Sequence, residues 1–231
     1  MLSIIIPIAN EAHNLRRLLP DLHRKFPETE IIVVDGGSVD GSPRVVEQFP
    51  FARLVVSPRG RARQMNAGAQ EAKGEVLLFL HADTLLPERA SEAIRAALAD
   101  PQTVGGRFEF RLDNPGFVFQ IITHVTNFLR SRPTWIATGD QALFVRRKIF
   151  DEMGGYPDIA LMEDVEFTKA LTRRGNLACL PLPATTSARK WERDGVLWTV
   201  LLMLSLRVMH FLRVDPTKLC ELYYGYAPPA K

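Results

Sequence analysis

The sequence predicts an α/β protein: a mostly parallel sheet flanked by helices, followed by an apolar helical tail. Three observations predict it. The first hundred residues alternate short β-branched runs with segments of helical spacing, the order that builds parallel sheets. Two of the runs, Glu30–Asp35 and the stretch 75–84, are apolar through their middles and end in carboxylates, Asp35 and Asp83. Those carboxylates fall where open α/β sheets bind ligands. From Ala184 onward the chain becomes apolar with scattered basic residues. The reading divides it into a sheet domain over 1–185 and a helical extension over 186–231.

Each element has a local reason. Leu2–Ile8 is a β-branched run carrying Pro7 near its end, and Leu15, Leu18, Leu19 and Leu22 repeat at helical spacing until Pro27. Residues 31–34 form the second strand, with the loop 35–42 after it, a short helix at 45–49 and a third strand at 54–57. The basic turn 58–63 leads into a helix over about 64–72. The five apolar residues 76–80 are a buried central strand running into His81, Asp83 and Thr84, and 87–99 is the next helix. Beyond Gly105 the pattern changes. Residues 106–112 alternate Arg107, Glu109 and Arg111 with Phe108, Phe110 and Leu112, as a strand with one wet face does. A turn at 114–116 precedes an apolar helix over 117–129. A strand at 141–145, a short helix at 148–153, an acid-led helix at 163–174 and a last strand at 177–182 complete the domain.

Residues 196–214 are mostly apolar, but their longest uncharged piece is shorter than the roughly 18 residues a spanning helix needs. On a helical wheel Thr199, Arg207, His210 and Arg213 fall on one side. The wide apolar remainder is expected to be covered by the domain, by a second copy of the chain, or by a membrane interface; Trp198 and the basic residues around Trp191 keep the last in play.

Composition narrows the function. A balance of 29 basic against 26 acidic residues, net +3, argues against nucleic acid. Cys179 and Cys220 lack metal or redox spacing and read as reduced thiols of a cytosolic protein. Residues 1–8 have no basic region or cleavage site, so they read as a strand rather than a signal peptide. The chain is expected in the cytoplasm, or peripheral on the inner face of the membrane.

The chemistry-bearing residues follow the strand ends. The loop 35–42 has three glycines and two acids, Asp35 and Asp40, but neither a Gly-Lys-Ser/Thr nor a Gly-x-Gly-x-x-Gly pattern, which excludes a P-loop and the dinucleotide fingerprint. Asp35 suits hydrogen bonds from a base or ribose; Asp40 suits a helix cap equally well. Arg61 and Arg63, directly before a helix, make a diphosphate cradle, whereas Arg59 fits a solvated loop. Asn66 and Gly68 are poor helix formers inside a helix, for which close ligand approach would supply a reason. Asp83 suits magnesium or manganese beside a substrate diphosphate, and His81 a local hydrogen bond. At Glu163 and Asp164 only one acid is needed at the helix start, leaving the other free as a general base.

Pro7 with Asn10-Glu11, the 34–42 run Val-Asp-Gly-Gly-Ser-Val-Asp-Gly-Ser, Asn66-x-Gly68, the 79–83 run Phe-Leu-His-Ala-Asp, and Glu163-Asp164 together resemble family 2 glycosyltransferases of the GT-A fold over about residues 1–185. The resemblance implies a nucleotide-sugar donor, usually UDP-linked, a divalent metal (Mn2+ or Mg2+), and transfer of hexosyl type with inversion at the anomeric carbon. By position, Asp35 would hold the base, Asp83 would be the metal acid of the DxD-type motif, and Asp164 the catalytic base of the ED motif. His81 stands where the first acid of DxD is expected. Processive members carry Gln-x-x-Arg-Trp; this chain has Ser-Ala-Arg-Lys-Trp over 187–191, which implies a non-processive enzyme and leaves Arg189, Lys190 and Trp191 to an acceptor or diphosphate role. Gly139-Asp140-Gln141 and Arg61-Ala-Arg63 resemble a compact bacterial subgroup, and Asp140 and Gln141 would orient sugar or acceptor. The apolar tail fits a lipid-linked acceptor.

Two rivals stand. A nucleotidyltransferase would show a Gly-rich loop with Lys or Arg after the first strand, where this chain has Ala-Asn-Glu-Ala over 9–12. An idle nucleotide-sugar-binding scaffold, suggested by His81, would bind UDP-sugar with manganese without releasing UDP.

Overall fold

β1 (Leu2–Ile8) lies at the heart of an eight-stranded sheet, with Ile4, Ile5 and Ile6 completely buried. The computed structural model describes residues 1–131 and 135–225. β2 (Glu30–Asp35) and β4 (Val76–Phe79) flank β1 in parallel, and β3 (Ala52–Val56) extends β2 in parallel. The register aligns Ile8 with Asp35 and Ile5 with Phe79, so the segments leaving β1, β2 and β4 emerge along one edge.

Burial on both faces explains why these strands are unbroken apolar runs. α1 (Ala12–Lys25) buries Leu15, Leu18, Leu19 and Leu22 against Ile4, Ile6 and Ile8. α3 (Arg61–Glu71) lays Ala62, Met65 and Ala69 against Ile5 and Val34 on the other face. Gly68 has its reason here: a Cβ would lie 2.5 Å from Ile5 Cγ2 and 2.8 Å from Val34 Cγ2, so its absence lets helix and sheet meet. Packing, rather than ligand approach, accounts for that glycine.

The second half of the sheet is mixed, as β7 (Phe144–Arg146) pairs antiparallel with both β4 and β6 (Thr103–Leu112). β6 runs parallel to β8 (Asn176–Thr186), and β5 (Thr84–Leu85) closes the edge antiparallel to β8. The sequence gives no sign of β5, which is two residues long. The wet face expected of the 106–112 strand is found only at its far end: Arg111 is exposed and Glu109 half-buried, but Arg107 is buried at 3% exposure, because residues 103–108 are packed on both faces, Val104 in one core cluster and Phe108 in the other.

α2 (Ser42–Glu47) begins earlier than expected because Pro43 suits a first helical turn. α3 takes Arg61 and Arg63 into its own first turn, where a basic loop was expected. α4 (Ala90–Ala97), α5 (Phe117–His124), α6 (Arg147–Glu152) and α7 (Glu163–Leu171) follow, α5 continuing as π-helical turns through Val125–Ser131. Gln141 lies in a 3-10 turn, Gly139–Gln141, rather than in a strand, because it pairs with Thr138 in a capping box.

Three helices make the extension: α8 (Arg189–Asp194), α9 (Val196–Phe211) and α10 (Pro216–Tyr224). Leu206, Leu219 and Cys220 pack on Leu161, so the extension is joined to the domain. Of the three covers expected for the apolar face of α9, the domain supplies only part. Buried Thr199 donates to the Gly195 carbonyl at 2.8 Å, and His210 lies 2.7 Å from Glu166 on α7. Thr199 and His210 thus face inward with Leu206, while Leu197, Trp198, Leu201, Leu204, Val208 and Phe211 face outward. Among the described residues no helix is long and apolar enough to cross a membrane.

Candidate active site

A cleft of about 550 Å³ opens between the β1–α1 junction, the start of α3 and α10. Its β-edge wall is built by loop-to-loop hydrogen bonds. Asn10, at φ +62°, accepts from Val39 N and donates its own N–H to Ser38 Oγ. Asp35, 4% exposed, accepts from the backbone N–H groups of Gly37 and Ser38, so its carboxylate folds its own loop. Asp40 accepts from Ala12 N at 3.0 Å and from Ser42 N at 3.0 Å, capping α1 and α2 together. Against the desolvation that opposes it, the Ser42 hydroxyl and these amides hold Asp40 below the usual carboxylate range. Glu11 accepts from the Asn14 amide, and burial raises its pKa, with Asp83 and Asp40 adding to the rise. Pro7 lines the cleft beside it.

Gln64 carried no sequence signal, since a glutamine in a helical repeat reads as solvated. It is buried, and its amide donates to the Ile8 and Val34 carbonyls at 2.7 and 2.8 Å, joining the ends of β1 and β2. Asn66 is likewise accounted for without a ligand: it donates to the Tyr156 carbonyl and accepts from Tyr156 N, each at 2.8 Å.

The two arginines of α3 part company. Arg63 donates to Asp158 at 2.9 Å and is neutralised there. Arg61 turns toward α7 and α10, with Nη1 3.5 Å from Glu163 Oε1 and Nη2 donating to Tyr224 Oη at 3.0 Å. The phenol of Tyr224, then Glu163, raise its pKa further. Tyr223, the neighbouring ring of α10, has its pKa raised by burial against the pull of Arg61, and Asp140, Asp83 and Asp164 all act on it. α10 therefore roofs the site, which the sequence did not announce.

Beneath that roof sit the acids. Glu163 is 2% exposed, and burial raises its pKa against Arg61, with Asp164 adding to the rise. Asp164 Oδ2 accepts from Gly139 N at 2.8 Å and Oδ1 from Val165 N at 2.7 Å; desolvation raises its pKa against Arg61 and those two amides. His81 is pressed against Gly139, where a Cβ would meet Nε2 at 2.3 Å. Burial first, then Arg61, hold that imidazole neutral, with its pKa lowered to about 3. Asp83, an exposed residue, lines the smaller pocket that Arg189 shares, and its pKa is raised by desolvation and next by the charge of Asp140. Asp140 accepts from the Thr138 hydroxyl, and Gln141, fully buried, accepts from Thr138 N at 3.2 Å.

The remaining tail residues divide. Arg189 reaches α1, donating to Asn14 Oδ1 at 2.6 Å, and lines a smaller pocket with Asp83. Lys190 pairs with Asp194 and sits 4.7 Å over the Tyr223 ring, while Trp191 packs with Phe110, Leu112 and Phe119. Arg61, His81, Asp83, Asp140, Glu163 and Asp164 are thus brought together, with Asp35 on the same sheet edge one strand away.

Does a divalent metal fit here? Among the described residues no group of three metal-ligating side chains converges. A cation bridging a substrate diphosphate needs only one or two acids, and exposed Asp83 with Asp140 beside it meets that need. His81 is turned into the protein and does not.

The model of the family "Glycosyl transferase family 2" matches residues 3–155. Glycosyltransferase AglE of Haloferax volcanii is 29% identical over 191 residues, covering 75% of this chain and 62% of that protein. The chain therefore spans about three-fifths of that relative. In structure it resembles S. aureus TarS 1-349 solved with UDP-GlcNAc (TM-score 0.66, 20% identity, 80% of this chain and 58% of that one). It also resembles mannosyltransferase PcManGT of Pyrobaculum calidifontis solved with GDP-Man and Mn2+ (TM-score 0.56, 21% identity, 80% and 56%).

Proposed function

Because the chain belongs to glycosyl transferase family 2, we propose that it is an inverting, non-processive glycosyltransferase that moves a sugar from a nucleotide diphosphate, a UDP-sugar, to an acceptor hydroxyl. The observation that carries the mechanism is Asp164: a carboxylate of raised pKa, fixed by Gly139 and Val165 N–H groups within reach of the charge of Arg61, which lines the cleft. In this reading Asp164 takes the proton from the acceptor hydroxyl as its oxygen bonds to the anomeric carbon. The bond from that carbon to the diphosphate breaks on the opposite face, and the electron pair leaves with the nucleotide diphosphate. Arg61 stabilises the charge that develops there. Glu163 orients Arg61, Asp35 and the 7–11 segment hold the nucleoside, and Asp140, Gln141 and Arg189 orient sugar and acceptor. Asp83, with Asp140, would hold Mn2+ or Mg2+, which supplies charge neutralisation to the leaving group when bound.

The donor class draws support from the UDP-GlcNAc and GDP-Man complexes of TarS and PcManGT. A lipid-linked acceptor at the inner face of a membrane is the reading that best uses the outward apolar face of α9. The decisive experiment is Asp164→Asn. Transfer from the donor that the wild type uses should fall by about 10²–10⁴-fold, while UDP binding by calorimetry stays unchanged. Near-normal transfer by that variant would sink the assignment.

A further inference from the structure

α5 and α9 each leave a wide apolar face outward. In the α5 segment and its π-helical continuation, the buried residues are polar: Thr126, and Asn127, whose amide accepts from Phe110 N and donates to its carbonyl at 2.8 Å. Phe117, Val118, Ile121, Val125 and Phe128 face outward. On α9 Thr199 and Leu206 are buried and His210 turns to Glu166, leaving the outward face with apolar residues and Ser205 but no charge. A helix with a wide apolar face left outward is facing an apolar solvent or a partner. α8 links the two: its Trp191 packs against Phe119 and Ile122 of α5, and it leads directly into α9.

We propose that the outward faces of α5 and α9 form one docking surface for the interface of an anionic lipid membrane, in which both helices lie parallel to the bilayer. The length of α9, 16 residues or about 24 Å, is too short to cross hydrocarbon but suits lying in its boundary. The charge beside it selects the lipid. From 189 to 221 the charged side chains are Arg189, Lys190, Arg193, Arg207, Arg213 and Lys218 against Glu192, Asp194, Asp215 and Glu221, a basic excess that complements anionic headgroups. Trp198 on the outward face is a residue of the kind that settles at headgroup depth. This surface goes beyond the transfer reaction and stands whichever residue is the base.

Co-sedimentation of the full chain with vesicles tests it. Wild type should pellet with 70:30 phosphatidylcholine:phosphatidylglycerol vesicles, pellet less with pure phosphatidylcholine, and release at high salt. Leu204→Glu and, separately, Ile121→Glu should each lower the partition coefficient by about tenfold, with thermal midpoints within about 2 °C of wild type because both sites are already exposed. The proposal is overturned if wild type stays in solution with both vesicles. It is also overturned if both variants pellet like wild type, or if ultracentrifugation finds a stable dimer that Leu204→Glu dissociates.

Discussion

Asp164 is a carboxylate whose two oxygens are already engaged by N–H groups, yet burial still lifts its pKa. Amide donors stabilise the ionised form, so the net rise means desolvation dominates. The consequence has a definite sign. A base is active when unprotonated, so transfer should rise with pH through a midpoint above that of an ordinary aspartate, and pH profiles of kcat/KM read it. A flat profile from pH 4 to pH 8 would remove Asp164 from the role. The neighbouring contact of His81 with Gly139 allows a double-mutant test. Gly139→Ala forces a methyl group against Nε2, from 2.3 Å, and should destabilise by about 1–3 kcal/mol in denaturant titrations. His81→Ala should recover most of that loss in the double mutant, since the space it clears is the space the methyl group needs.

At the scale of elements, α10 holds the most consequential contact. The Tyr224 hydroxyl occupies one edge of the Arg61 guanidinium, the group assigned to the leaving diphosphate. Donor and roof therefore compete for the same fork. Tyr224→Phe, which keeps the ring but removes the hydroxyl, should tighten UDP by about threefold to tenfold, the value of one hydrogen bond to a charged group less its exposure. Calorimetry measures this, and weaker binding would instead make Tyr224 part of the donor site. Elements also show where the sequence was legible. β1, β2 and β4 declared themselves because they are buried on both faces and thus read as unbroken apolar runs. β6 misled at Arg107 alone, which the alternation puts on the wet face of Glu109 and Arg111 although both faces of the strand are covered there. α9 was located but not oriented, because periodicity marks a polar side without saying whether that side meets water or, as with His210, another helix.

Across the whole molecule, the acids could be read in the sequence because strand ends are fixed by topology. Once β1, β2 and β4 were parallel neighbours, Asp35 and Asp83 had to emerge along one edge. What the sequence withheld was what is brought there from far along the chain. Gly139 reaches Asp164 across 25 residues, and Tyr224 reaches Arg61 across 163. Nothing in their local pattern signals either meeting. Asp40 and Asn66 show the converse, since motif residues can be fully occupied with holding loops in place.

Gln64 deserves a last inference of its own. Where the β1–β2 ladder ends, the Ile8 carbonyl accepts from Gly36 N at 3.0 Å, and the Gln64 amide adds a second donor there while also reaching the Val34 carbonyl. One side chain thereby ties the helix that starts at Arg61 to the tips of two neighbouring strands, so that loosening Gln64 would unsettle the arginine and the cleft floor together.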